Sequence, residues 1–206
     1  MKAPAFSISD VIQRGWELTK ANIGYLLVYQ IILWAFVILL IATQERAILH
    51  VLIWIVVVLL KMGLYKAALL ITDGIKPGYE ELYQNWRQLP SWIIAGILFG
   101  FMFAFGLILL VVPGLYVWAR YDLYPFAILD KQLGPINALK DASKISEGNR
   151  WQIFLLFLAC VGLNILGMLV LGIGILISAP VTLIAVAIAY RQLQAQTNTA
   201  IVQEVR

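Results

Sequence analysis

The chain has 206 residues, 62% hydrophobic and 13% charged, with a formal charge of +4 and a mean hydropathy of +0.89. A soluble domain is nearer about 45–50% apolar and about 25% charged. Too little polar surface is present to coat a water-soluble particle, so lipid is the expected solvent for most of the chain. One cysteine, Cys160, and one histidine, His50, exclude an intramolecular disulfide and offer no cysteine- or histidine-based metal framework.

Residues 1–22 are polar and amphipathic. Ile8, Val11, Ile12, Gly15, Trp16 and Thr19 recur at helical spacing opposite Asp10, Gln13, Arg14, Glu17 and Lys20, with Ser7 placed to cap the helix. The first apolar run, about 23–41, is long enough to cross a bilayer, which takes about 20 residues. It lacks a small-residue cleavage site, so it is expected to stay in the membrane. After "ATQERA" (42–47) comes a second run, about 48–70, with Lys61 near its middle.

A second amphipathic stretch sets Tyr79, Leu82, Tyr83, Trp86 and Leu89 against Glu80, Glu81, Gln84, Arg87 and Gln88, with Pro77 suited to a first helical position. A third span covers about 92–112. The short link "VPG" (112–114) leads into a less pure segment, about 114–130, which holds Arg120, Asp122 and Pro125. The third amphipathic stretch follows Pro135, with Ile136, Leu139, Ala142 or Ser143, and Ser146 on one face and Lys140, Asp141, Lys144 and Glu147 among its polar partners. Runs at about 151–171 and 174–191 are joined by "GIG" (172–174), and 192–206 is a polar tail.

The expected fold is all-α: a single membrane domain over 1–191, with six transmembrane helices as three hairpins. Each hairpin is preceded by an amphipathic helix lying in the headgroup layer, the alternative being an ordinary cytosolic loop helix. "ITDGIKPGYEEL" (71–82) aligns with "ILDKQLGPINAL" (128–139), placing Asp73 on Asp130 and Leu82 on Leu139. "KANIGYLL" (20–27) parallels "EGNRWQIF" (147–154), placing Asn22 on Asn149. Either an internal repeat or a shared need for turn residues at a membrane edge explains these matches.

Positive charge sets orientation. One side receives Lys2, Arg14, Lys20, Lys66, Lys76, Arg87, Lys131, Lys140, Lys144, Arg150, Arg191 and Arg206, against Arg46 alone on the other. Both termini are therefore expected in the cytoplasm, and the asymmetry requires 114–130 to cross.

Arg120 and Asp122 are two apart and do not face each other on a helix. An arginine at a span centre costs roughly 2.5–3.5 kcal/mol on insertion scales. One reading has Arg120 snorkel toward the outer face. Another joins Arg120 to Lys61 and Asp122, where one pairing leaves a surplus cation for an anion such as a lipid phosphate, with Tyr121 assisting. Pro125 frees the carbonyl of Tyr121 and permits a kink. Gly96, Gly100 and Ala104, and likewise Gly174, Ser178 and Thr182, form small-residue stripes for helix packing. Asn164 suits an interhelical hydrogen bond.

No catalytic constellation, phosphate-binding glycine loop or nucleic-acid motif is present, no cofactor is implied, and no enzymatic role is expected. The basic rim points to anionic membrane lipids as partners. The leading expectation is a non-catalytic membrane protein that binds lipid, a protein partner or a second copy. The competing expectation is a small transporter with a polar site at Arg120, Asp122 and Lys61.

The stretch "LVVPGLYVWARYDLYPFAILDKQLGPINALKDASKISEGNRWQIF" carries Pro113-Gly114, Arg120-Tyr121, Pro125, Asp130, Ala138-Leu139, Ser143 and Gly148. With "FSISDVIQRGWELTKANI" before it and "ISAPVTLIAVAIAYRQL" after it, this pattern resembles poorly characterised bacterial integral membrane proteins. Those are related to the membrane domain of some glycerophosphoryl diester phosphodiesterases. The resemblance implies a six-helix protein of the inner membrane. In the fused relatives phosphodiesterase chemistry belongs to a separate soluble barrel, so the resemblance carries no activity to these residues.

Overall fold

The computed structural model describes residues 5–109, 111–170 and 172–204. Lys2 and Arg206 of the charge count, and the side chain of Leu82, lie outside what is described. Among the described residues the chain is all-helical. Five helices are long and apolar enough to cross a membrane.

The first of these, α2 (Ile23–Ala42), pairs with α3 (Ala47–Thr72) across a polar turn. Tyr29, fully buried, donates to the Leu60 carbonyl at 2.6 Å and so joins the pair deep inside. At the turn the His50 ring hydrogen-bonds the Leu40 carbonyl at 3.1 Å. Before them runs α1 (Ile8–Ala21), whose Val11, Gly15 and Thr19 are buried against the last helix, α9 (Ile175–Glu204). A Cβ on Gly15 would stand 2.9 Å from the Val181 carbonyl oxygen, so the missing side chain permits the close crossing. Protein thus covers part of the predicted apolar face, Ile8 and Ile12 being half-buried and Trp16 exposed. Ser7 occupies the cap position but its hydroxyl pairs with Ser9 instead of the helix amides.

The expected second amphipathic helix is replaced by two 3-10 turns, Tyr79–Leu82 and Gln84–Gln88. The Asn85 side chain donates to the Glu81 carbonyl at 3.2 Å, linking the two turns. Glu81 is also pressed against Gly63 of α3, where a Cβ would lie 2.5 Å from its carbonyl oxygen. Tyr79, Tyr83 and Trp86 are left exposed.

The helix α4 (Leu89–Leu109) packs tightly on α5 (Val111–Tyr121), with Gly106 against the backbone of Gly114. "VPG" is therefore not the link: Pro113 and Gly114 lie in the first turn of α5, where a missing amide costs no helix bond. The segment 114–130 is not one helix either. α5 ends at Tyr121, and α6 (Tyr124–Lys131) begins after a break at Asp122–Leu123. Pro125 has no amide to offer the Tyr121 carbonyl, so the helical ladder stops there. Eleven residues make α5 about 16 Å long, half of a hydrocarbon core about 30 Å thick. α6 is wrapped by protein, with Phe126, Ala127, Ile128 and Leu129 buried and Phe126 packed on Tyr65.

The third amphipathic stretch forms α7 (Pro135–Ile145). It buries Ala138, Leu139, Ala142 and Ile145, while Ile136 is exposed. α8 (Arg150–Leu169) and α9 close the fold, and α9 stays helical through Glu204, so most of the expected tail continues the last helix. The matched asparagines occupy like positions, as either a repeat or a shared turn requirement would have it. Asn22 and Asn149 stand at the N-cap positions of α2 and α8 with nearly equal dihedrals, φ −119° and ψ 20° against φ −119° and ψ 12°, though neither side chain bonds a helix amide.

Candidate functional site

Two openings between the helices hold the intramembrane charges singled out above, and they divide them. Arg120 and Tyr121 line a cleft of about 290 Å³ between α4, α5 and α7, with Lys140 and Ser143. Lys61 and Asp122 line a separate cavity of about 520 Å³ among α2, α3, α8 and α9 and the break between α5 and α6. The break separates the trio: Arg120 leaves from one side of the chain and Asp122 from the other. Among the described residues the ion pairs are Lys131–Asp141, Arg191–Asp73 and Arg191–Asp130, so none of the three charges pairs with another.

Arg120 stands one residue before the end of α5, where a cation favours the helix dipole. Its side chain does not lean back toward the α4–α5 turn as the snorkelling reading required. Instead Nε donates to the Ser143 hydroxyl of α7 at 2.7 Å. The buried Ser146 hydroxyl donates to the Arg120 carbonyl at 3.0 Å, which fixes the end of α5 on α7. The guanidinium lies 5.2 Å from the Tyr121 ring centroid. Only Nε is engaged by a described residue, and the two terminal nitrogens remain available. Leu98 and Met102 of α4, with Ile136 and Leu139 of α7, give the cleft apolar walls.

The remaining residues singled out by pattern fall in varied settings. Gly174 packs on the backbone of Gly167, and Ser178 meets the same glycine. Asn164 donates to Thr182 at 3.1 Å and accepts from Ser178 at 2.9 Å, joining α8 to α9. A Cβ on Gly96 would stand 3.3 Å from the Tyr124 hydroxyl; at Gly100 it would meet nothing within 4 Å, and Ala104 is exposed. The close approach on α4 is at Gly106, two residues past that stripe.

The strongest polar cluster was not anticipated. Arg191 of α9 donates twice to Asp73, at 2.9 and 2.6 Å, and to Asp130 at 2.7 Å. Tyr190 and Gln194 also donate to Asp130, at 3.2 and 3.3 Å. Asp73 and Asp130 are the residues matched in the internal alignment, and both bond one arginine. That alignment was the signal that could have exposed the cluster.

Long apolar helices, buried polar groups held by hydrogen bonds between helices, and cations at helix ends mark a helical membrane protein. The chain belongs to the family described as protein of unknown function (DUF975), whose model matches residues 47–197. No curated protein and no solved structure matches it. The matched region begins at the start of α3 and includes the whole Arg120 cleft and all of the Lys61 cavity except its α2 wall.

Proposed function

We propose that this is a non-catalytic protein of a bacterial cytoplasmic membrane that binds an anionic lipid headgroup in the Arg120 cleft. In this reading both termini face the cytoplasm, the chain makes six passes, and α5 and α6 together form the bent fourth. Kinship with the membrane domain of glycerophosphoryl diester phosphodiesterases belongs to the same proposal. It rests on Pro113-Gly114, Arg120-Tyr121 and Pro125 of the sequence.

The observation that carries it is the state of Arg120: one nitrogen anchored on Ser143, two terminal nitrogens unused, and Lys140 across the same cleft. A planar guanidinium presents paired donors that match phosphate oxygens, and a nearby ammonium adds a second charge. The apolar walls suit the acyl chains below such a phosphate. Bound lipid would give the protein a role in organising the bilayer or an assembly with a protein partner or a second copy.

Transport calls for one polar route through Arg120, Asp122 and Lys61. The division into two openings gives that reading no support, and Asn164, held between Ser178 and Thr182, lines neither opening.

Native mass spectrometry from nanodiscs containing phosphatidylglycerol tests the lipid reading. Arg120→Ala is expected to lower retained phosphatidylglycerol about tenfold, or ~1.4 kcal/mol, and Lys140→Ala less, as befits a charged hydrogen bond against a longer-range cation. Equal retention by the wild type and Arg120→Ala contradicts it.

A further inference from the structure

The second cavity is chemically different from the Arg120 cleft. It holds one cation and one acid, Lys61 and Asp122, which form no ion pair with each other and make no side-chain hydrogen bond to another described residue. Gln30, 3% exposed, adds a carboxamide to the same lining, and Thr182 lines it with its hydroxyl held by Asn164 and the Ala179 carbonyl. An ionised side chain within a membrane protein is costly unless it finds a partner or water. Here two opposite charges share a space without meeting.

The distribution of the walls narrows the ligand. Gln30 lies in the first half of α2, and the lining continues along the helix through Leu33 to Val37, toward the α2–α3 turn. On α9 it runs from Thr182 through Ala179 to Ile175, toward the α8–α9 turn. Apolar walls extend from the polar groups toward the hairpin tips, and Leu64, Leu183 and Val186 line the cavity on their other side. Tyr65 and Trp34 supply aromatic surface, and an aromatic face together with a carboxylate is a favourable setting for an ammonium group.

We infer that this cavity binds a zwitterionic amphiphile, with its ammonium at Asp122 and the aromatic rings, its anionic group at Lys61, and its hydrocarbon along Val37 and Ile175. A phosphoethanolamine headgroup has this chemistry, either on a membrane lipid or as a free molecule. The walls favour the lipid. A ligand carrying only an anion would leave Asp122 unsatisfied, which separates this site from the cleft at Arg120.

Two probes distinguish the sources: phosphatidylethanolamine in nanodiscs, followed by native mass spectrometry, and soluble O-phosphoethanolamine, followed by Trp34 fluorescence with Trp34→Phe to assign the signal. Measured in an Arg120→Ala background, so that the cleft does not contribute, retention of phosphatidylethanolamine is expected to fall about tenfold in both Lys61→Gln and Asp122→Asn. Lys61 is exposed, so its replacement keeps the test alive should Asp122→Asn fail to fold. A response to the soluble probe alone, lost in Lys61→Gln, supports a free zwitterion at the same groups. No response to either probe, or equal retention with and without Lys61→Gln in that background, overturns the inference.

Discussion

Arg191 and Arg120 are both arginines near the end of an apolar helix, and their surroundings differ in a way that separates structure from function. Arg191 is fully employed by its own chain: three nitrogens meet two carboxylates contributed by α6 and the residue just past α3. Arg120 is held by one hydroxyl through Nε, and the residue lines a cleft. A bidentate, charge-assisted contact closes a fold; an anchored guanidinium without a counter-charge awaits an anion. The contrast teaches that a cation inside a membrane protein is read by the partners it has, not by its depth.

The difference is open to attack in order of size. Arg191→Met strands Asp73 and Asp130 and is expected to cost about 2 kcal/mol, since the groups are partly solvated and the loss is below that of a fully buried pair. Arg120→Met is expected to cost under about 1 kcal/mol, the worth of a single hydrogen bond. Cys160 is the only cysteine and is buried, so a thiol-reactive dye reports thermal unfolding of each variant in mild detergent. If Arg120→Met proves as destabilising as Arg191→Met, both are structural and the comparison fails. A smaller effect is expected at Asn164, where replacement by Leu removes the link between α8 and α9. Polar contacts inside membrane proteins average about 0.6 kcal/mol, and the same dye assay is expected to show a shift of that order. A loss above about 2 kcal/mol would show that the α8–α9 contact depends on more than this hydrogen bond.

Much of the helical layout was legible because apolar length and amphipathic spacing are local properties. The runs at 23–41 and 48–70 correspond to α2 and α3, and the register of Asp73 on Asp130 turned out to mark two ligands of one arginine. What escaped were features decided between elements or by one side chain. The stretch 79–88 forms two 3-10 turns in place of an expected α-helix, with Glu81 pressed on Gly63 of α3. Pro125 converts the segment 114–130 into α5 and α6, and the break sends Arg120 and Asp122 into different openings. Spacing alone could not show this, because the direction of a side chain after a broken helix is set by packing. The stripe Gly96, Gly100 and Ala104 has the right period for a contact, yet the contact forms at Gly106, where Gly114 happens to face it.

The central claim is that Arg120 holds a phosphate. A structure determined in nanodiscs containing phosphatidylglycerol tests it most directly. The prediction is a phosphate oxygen at about 2.7–3.0 Å from the terminal nitrogens of Arg120, with Lys140 beside it and acyl density against Leu98 and Met102. A cleft in which those nitrogens bond only to the chain's own groups, with no phosphate beside them, would contradict it.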